Sequence, residues 1–229
     1  MFIKGLQKTT LLDYPSKVAA TIFTGGCNFR CPFCHNASLV IHANSQDAIT
    51  EEVIFSFLSK RRGILDGICI TGGEPLLQKD IAEFCRKVKE LGLLIKLDTN
   101  GSRPAELKAL ISEGLIDYIA MDVKNSKELY AATSGIDGFP SEVEESVKLI
   151  MSCGIPYEFR TTVVKELHSK ESIESLCQWI SGAKQYFLQG FIDSGDIIDV
   201  GYSAYSAEEM TEFLEIAKKY IPSAALRGI

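Results

Sequence analysis

No apolar stretch of the 229-residue chain approaches the ~20 residues that a membrane-spanning helix needs. The first residues, Met1-Phe2-Ile3-Lys4-Gly5, lack the apolar segment and the small-residue cleavage site of a secretory signal. A block of basic residues is absent as well, and the formal net charge is −6. These absences argue against a membrane or a nucleic acid as the main partner, and they predict a cytoplasmic protein.

Low-complexity segments and interdomain linkers are equally lacking. Hydrophobic residues make up 46% of the chain and charged residues 24%, so the composition supports a sizeable core and excludes wholesale disorder. We therefore expect a single domain over residues 1–229, in which residues 1 to about 17 form an N-terminal extension.

The chain contains seven cysteines, and three of them lie within eight consecutive positions. Four are isolated in apolar patterns, where we interpret them as small buried side chains: Cys69, Cys85, Cys153 and Cys177. The clustered three, Cys27, Cys31 and Cys34, have the spacing C-x3-C-x2-C. Without a secretion signal, such clustering indicates metal or redox chemistry rather than a disulfide framework.

Three thiolates on one loop can converge on one metal centre, and soft sulfur donors select zinc, copper or iron–sulfur clusters. A closed zinc site usually has four protein ligands, and His35 directly follows the last cysteine. A four-iron cluster held by three cysteines would instead leave one iron open to another ligand. Both interpretations stand on these residues alone.

Short apolar runs alternate with segments of helical periodicity along the chain. The runs predict strands at residues 18–23, 67–71, 93–97, 116–121, 157–164 and 185–190, with a closing strand at 223–227. Six strand–helix units predict an α/β fold, a partial (β/α)6 TIM-like barrel with a parallel sheet and outer helices, because eight units would close a full barrel.

Two capping-box patterns mark predicted helix starts. They are Ser141-x-x-Glu144 and Ser206-x-x-Glu209, each followed by apolar residues at helical spacing.

Distinctive motifs follow the ends of the predicted strands. They are the cysteine loop (residues 24–36), Gly72-Gly73-Glu74-Pro75, Asp98-Thr99-Asn100-Gly101 and Asp122-Val123-Lys124, with Arg160 inside the fifth strand. Because parallel strands bring their carboxyl ends to one face, we expect these motifs to converge on one site. Glycines there let a ligand approach the backbone closely, and the charged side chains offer partners to ammonium, hydroxyl and carboxylate groups.

The cysteine spacing, with Phe33 just before the last cysteine, resembles that of the radical S-adenosylmethionine (SAM) enzymes. The whole series of motifs is similar to the activating enzymes of glycyl-radical enzymes. Within that group the chain resembles the anaerobic ribonucleoside-triphosphate reductase activating proteins, on the segments Gly5-Leu6-Gln7-Lys8, Leu12-Asp13-Tyr14-Pro15, Cys34-His35-Asn36 and Leu226-Arg227-Gly228-Ile229. The resemblance covers most of the chain.

This resemblance implies one [4Fe-4S] cluster on Cys27, Cys31 and Cys34, with SAM bound to the open iron. An electron from a flavodoxin- or ferredoxin-type donor would cleave SAM to a 5′-deoxyadenosyl radical. That radical would remove a hydrogen from a backbone glycine of an anaerobic ribonucleotide reductase.

The resemblance also implies a set of SAM contacts. They are Phe33, Gly72, Gly73, Glu74, Asp98, Asn100, Asp122, Lys124, Arg160, Gln189 and Phe191. Glu74 could hold its turn or add negative charge near SAM. A monovalent cation beside the SAM carboxylate would be held by Asp98, Thr99 and the carbonyl of Ala120.

Several alternatives remain open on the sequence. The enzyme could activate another glycyl-radical enzyme of the formate-lyase type, or act on a small molecule; the lack of large substrate-binding additions favours a macromolecular substrate. A non-catalytic zinc-binding interaction module is a further alternative. Asp98 could merely cap a turn, and Arg160 could form a buried ion pair. We expect His35 to pack near the cysteines, His42 to lie on the surface and His168 to lie in a solvated loop.

Overall fold

The computed structural model describes residues 1–42 and 48–229. Within them, eight strands form one sheet whose strand order follows the sequence. They are β1 (Ile3–Thr10), β2 (Ala19–Thr24), β3 (Gly67–Gly72), β4 (Leu94–Thr99), β5 (Tyr118–Asp122), β6 (Tyr157–Val163), β7 (Tyr186–Gly190) and β8 (Ala225–Arg227). β1 is antiparallel to β2, and every other neighbouring pair is parallel.

Helices connect the parallel strands. They are α1 (Ala37–Val40), α2 (Glu51–Lys60), α3 (Ile81–Glu90), α4 (Pro104–Ser112), α5 (Tyr130–Ser134), α6 (Ser141–Ser152), α7 (Lys170–Trp179) and α8 (Ala207–Lys218). α3 buries Ile81, Phe84, Cys85 and Val88, the stripe that a helix needs to pack on a sheet. The predicted partial (β/α)6 barrel with a parallel sheet and outer helices is confirmed.

The N-terminal residues complete one edge of this sheet. β1 pairs with β2 in a register that places Ile3 opposite Thr24. Beyond β1, the ring of Tyr14 packs against that of Tyr118 at 6.0 Å between centroids, and the Thr21 hydroxyl donates a hydrogen bond to Asp13 at 2.5 Å. The expected N-terminal extension therefore contributes a strand and covers the amino ends of the parallel strands.

The two faces of the sheet differ in chemistry because strand side chains alternate between them. One face carries buried aliphatic side chains such as Ile22, Ile70 and Leu97. The alternate positions of β4 and β6 carry Lys96, Asp98 and Arg160, which contact one another. The fold thus places charged groups on the inner face, near the carboxyl ends of the strands.

No helix in residues 1–42 and 48–229 combines the length and apolarity needed to cross a bilayer.

Candidate active site

A cavity of about 400 Å³ opens at the carboxyl ends of the parallel strands. Thirteen residues predicted for the site line it: Cys27, Cys31, Phe33, Cys34, Gly72, Gly73, Asp98, Thr99, Asn100, Asp122, Lys124, Arg160 and Gln189. Three predicted residues, Glu74, Ala120 and Phe191, are absent from this lining. All three are buried nearby. The parallel topology thus brings five separate motifs to one space.

The three clustered cysteines are free thiols on the loop after β2. Burial raises the pKa of Cys27, and it raises the pKa of Cys31 to about 12. Such thiols are protonated at neutral pH, so each becomes a ligand only by losing its proton to solvent as a metal binds. In the described part of the chain, no three His, Cys, Asp or Glu side chains stand as a preformed metal site. Three thiols sharing one cavity nevertheless fit an iron–sulfur cluster by their chemistry.

The Gly72-Gly73 turn clamps the cysteine loop. Gly73 N–H donates to the Thr24 carbonyl at 2.9 Å, and Glu74 N–H donates to the Gly26 carbonyl at the same distance. A Cβ on Gly73 would overlap that Gly26 carbonyl oxygen. Gly72 has φ +111°, a conformation that favours glycine. Both glycines are therefore required by the contact between the end of β3 and the cysteine loop.

Glu74 is fully buried and does not line the cavity. Its carboxylate accepts hydrogen bonds from the backbone N–H groups of Leu76 at 3.1 Å and Asn100 at 2.7 Å, and from the Thr99 hydroxyl at 2.8 Å. Burial raises the pKa of Glu74 to about 7, although these donors oppose the rise. Its contacts tie the end of β3 to the end of β4, which is the turn-holding role expected as one of two.

Five charged side chains form an alternating chain across β4, β5 and β6. Lys96 pairs with Asp98, Arg160 bridges Asp98 at 3.0 Å and Asp122 at 2.9 Å, and Lys124 pairs with Asp122 at 3.1 Å. Burial disfavours ionisation of both aspartates, but the neighbouring cations outweigh it and lower the pKa of each. The inner wall of the cavity is therefore a fixed array of opposite charges.

This array bears on two expectations. Asp98 binds Lys96 and Arg160 rather than capping a turn, and Arg160 does form an ion pair, which is partly buried. The monovalent cation expected at Asp98, Thr99 and the Ala120 carbonyl stays a prediction, and it would have to share Asp98 with the two protein cations.

Sequence reasoning missed Lys96 and placed His168 wrongly. Lys96 is 1% exposed, and the only signal for it was an inward register inside an apolar strand. His168 is 2% exposed, so the prediction of a solvated loop was wrong. It is buried because Tyr205 donates to its carbonyl at 2.6 Å and its ring binds the Lys124 carbonyl at 2.8 Å. His35 lines the cavity with an exposed side chain, and His42 is exposed as expected.

Aromatic rings pack behind the cysteine loop. Phe29 contacts Tyr130 with centroids 6.4 Å apart, and Tyr130 contacts Phe139 at 5.4 Å and Trp179 at 6.3 Å. These edge-on contacts form a continuous apolar support from the loop to α7. On the cavity side, Phe33 meets Phe191 at 6.5 Å, so Phe191 supports a lining residue from outside the cavity.

The chain matches the Radical SAM superfamily over residues 21–180. It is 33% identical over 235 residues to a protein of Methanocaldococcus jannaschii named “Putative glycyl-radical enzyme activating enzyme”, with 99% of this chain and 96% of that protein covered. It is also 26% identical to the pyruvate formate-lyase-activating enzyme of Clostridium pasteurianum, with 80% of this chain and 77% of that protein covered.

A solved structure has the same fold. Streptococcus suis SuiB bound to precursor peptide SuiA matches 91% of this chain with a TM-score of 0.73 at 17% sequence identity. The matched region spans 48% of the SuiB chain, so this chain has about half its length. At this identity the similarity establishes the fold alone.

Proposed function

This chain belongs to the radical SAM superfamily, and from that membership we propose that it activates a glycyl-radical enzyme, with anaerobic ribonucleoside-triphosphate reductase as the target. The family implies a [4Fe-4S] cluster and SAM. One similar protein is named “Putative glycyl-radical enzyme activating enzyme” and another “Pyruvate formate-lyase-activating enzyme”, and these names support the reaction class. The choice of reductase rests on the resemblance of the terminal segments and of Cys34-His35-Asn36.

The proposal rests on one observation. The three cysteines, the Gly72-Gly73 turn and charged side chains of the array line one cavity. When bound there, the cluster and SAM supply the reductive cleavage that yields a 5′-deoxyadenosyl radical able to remove a hydrogen atom from a glycine Cα. The chain itself binds, orients and shields these groups.

Each lining group has a physical task in this proposal. Gly72 and Gly73 expose backbone to the SAM ammonium, and Lys124 offers its cation to the SAM carboxylate. Asp122 accepts hydrogen bonds from hydroxyl or ammonium groups, and Phe33 provides an apolar surface for the adenine. Asp98 and Arg160 hold the array rigid beneath them, so little reorganisation accompanies binding.

The open edge of the sheet supports a macromolecular substrate. Among the described residues, β1 and β8 are the outer strands of the sheet and do not pair with each other. An extended glycine-bearing segment can therefore reach the cavity from the open side of the barrel. A flavodoxin- or ferredoxin-type protein is the proposed electron donor.

The test starts with anaerobic reconstitution using iron and sulfide, followed by low-temperature electron paramagnetic resonance with and without SAM. The reduced protein is then mixed with anaerobic ribonucleotide reductase or, separately, with pyruvate formate-lyase. We expect a SAM-dependent cluster signal, 5′-deoxyadenosine and a glycyl radical on the reductase only. Cys31→Ala is the inactive control, and Cys177→Ala is the matched control outside the cavity.

Other outcomes identify the alternatives. A glycyl radical on pyruvate formate-lyase alone would replace the target and keep the reaction. SAM cleavage without a radical on either protein would favour a small-molecule substrate. Stoichiometric zinc with no SAM-dependent signal would favour the interaction module.

A further inference from the structure

Hydrogen bonds to the cysteine loop converge on one sulfur. Cys27 Sγ receives the backbone N–H of Phe29 at 3.4 Å and the side-chain amide of Asn100 at 3.7 Å. In the described part of the chain, neither Cys31 nor Cys34 has a hydrogen bond to its sulfur. The loop therefore supplies one donor from its own backbone, and β4 supplies a second from a different motif.

The orientation of the Asn100 amide is fixed by its neighbours. Its oxygen accepts the backbone N–H of Ser102 at 2.9 Å, so its nitrogen is the atom that faces Cys27. The same nitrogen donates to the Asn28 side-chain oxygen at 3.0 Å. Asn100 is 6% exposed, so water competes little for these bonds.

Glu74 holds the backbone of Asn100 in place. The buried carboxylate accepts the Asn100 backbone N–H, and no donor to it among the described residues is a cation. Since Glu74 also caps the turn after β3, it sets the position of the Asn100 amide relative to the cysteine loop. The glutamate of one motif thereby positions the asparagine of another.

Hydrogen bonds to ligand sulfur stabilise the extra negative charge of a reduced iron–sulfur cluster and so raise its reduction potential. We propose that Asn100 is a positioning residue for the cluster, held by Glu74, which donates to the Cys27 sulfur and raises the potential of the cluster. This goes beyond the SAM contact expected of Asn100. It rests on the cluster of the proposed function and not on the glycyl-radical substrate.

The test is the midpoint potential of the reconstituted full-length protein, measured by optical titration without SAM or partner. Asn100→Leu keeps the volume and removes the donor. At a fixed reductant potential we expect the ratio of reduced to oxidised cluster to fall about tenfold, which equals 59 mV for one electron. Asn28→Ala removes the other acceptor of the Asn100 amide, together with the hydrogen bonds between Asn28 and Ser102, and should keep the wild-type potential.

Glu74→Gln also removes a buried negative charge that acts on the Cys27 sulfur, which by itself raises the potential, so the role of Glu74 is measured from the pair of variants. Asn100→Leu should shift the potential less in the Glu74→Gln background than in wild type, and an equal shift in both backgrounds would overturn the role of Glu74. A full cluster with wild-type potential in Asn100→Leu would overturn the proposal. Protein that binds no cluster at all, wild type included, would instead overturn the proposed function.

A second measurement tests the contact in case Asn100→Leu does not bind its cluster. Wild-type protein carrying 15N in its asparagine side chains is reduced and examined by pulsed electron–nuclear double resonance. A 15N coupling to the cluster that persists in Asn28→Ala and in Asn36→Ala supports the contact, because those two labelled side chains also lie near the cysteines. Its absence from a fully reduced sample would overturn the contact.

Discussion

The Nε2 atom of His168 donates a hydrogen bond to the backbone carbonyl of Lys124, 2.8 Å away and 44 positions earlier in the chain. Val164 N–H donates to the other ring nitrogen at 3.1 Å, which sets the proton on Nε2. The Asn125 side chain reinforces this by donating to the Leu167 carbonyl at 2.8 Å. The loop after β6 therefore fixes the backbone that carries Lys124.

This contact predicts a pH dependence of stability. Burial lowers the pKa of His168, so the unfolded chain takes up a proton below about pH 6.5 where the folded chain does not. Stability from neutral His168 is thus complete above that pH and is lost as the pH falls. In urea unfolding, the stability difference between wild type and His168→Gln should shrink from pH 7 to pH 5, by at most about 1.4 kcal/mol per unit. A constant difference would contradict this.

The charged array predicts a cost in stability for losing its central cation. Arg160→Met leaves the partly buried Asp98 and Asp122 with one partner each. We expect a loss of unfolding free energy between the ~1 kcal/mol of an exposed ion pair and the ~3–5 kcal/mol of a fully buried one. Arg86→Met is the matched control, because the Arg86–Glu113 pair is exposed at the surface and should contribute at most about 1 kcal/mol. Equal losses of unfolding free energy in the two variants would show that the array stabilises the fold no more than an exposed ion pair does.

The contact between the β3 turn and the cysteine loop predicts the effect of one methyl group. In Gly73→Ala the new Cβ meets the Gly26 carbonyl, so the cysteine loop must move. We expect the iron bound after reconstitution to drop severalfold. Gly92→Ala is the control: it has φ +79° and open space, so it should lose about 1–2 kcal/mol of stability and keep its iron. Full iron binding by Gly73→Ala would show that the loop adapts.

Substitution of a clustered cysteine should have a different effect from substitution of an isolated one. Cys27→Ser, Cys31→Ser and Cys34→Ser should each lose the cluster absorbance, because a four-iron cluster then has only two cysteine ligands. Cys69→Ser is the stringent control, since Cys69 is buried close to Asp98 yet outside the predicted ligand set. Iron and sulfide analysis of the four variants decides the point. Loss of the cluster in Cys69→Ser alone would overturn the ligand assignment.

The sequence was sufficient to predict that the motifs meet at the strand ends, because two simple regularities act together. Alternation places Asp98 and Lys96 on the same face of β4, and parallel order places the ends of β3, β4 and β5 side by side. Neither regularity depends on side chains far away in sequence. The convergence of motifs on one cavity could therefore be predicted before any contact was known.

Local capping patterns were less dependable. Ser206 and Glu209 form the predicted box, with both hydrogen bonds present. The box predicted at Ser141 was wrong, because the helix begins at Ser141 itself and Pro140 occupies the N-cap position, with no side-chain cap hydrogen bond. Glu144 pairs with Lys127 and Lys148 instead.

The burial of Lys96 and His168 could not be predicted from the sequence. Lys96 is buried because it donates to Asp98 and to the Cys69 sulfur. His168 is buried because its ring donates to the Lys124 carbonyl and its own carbonyl accepts from the Tyr205 hydroxyl. Such partners lie up to 44 positions away, and composition gives no measure of them. The sequence therefore indicated which groups bear chemistry but left out the residues that hold them.

The aromatic rings behind the cysteine loop should make the intrinsic tryptophan fluorescence of the protein sensitive to cluster binding. The chain has one tryptophan, and Trp179 is linked through Tyr130 to Phe29, two positions after Cys27. An iron–sulfur cluster absorbs broadly in the near ultraviolet, so its arrival within this short distance should quench the emission of Trp179. Cluster insertion and oxidative loss can then be timed in an unlabelled sample by fluorescence alone.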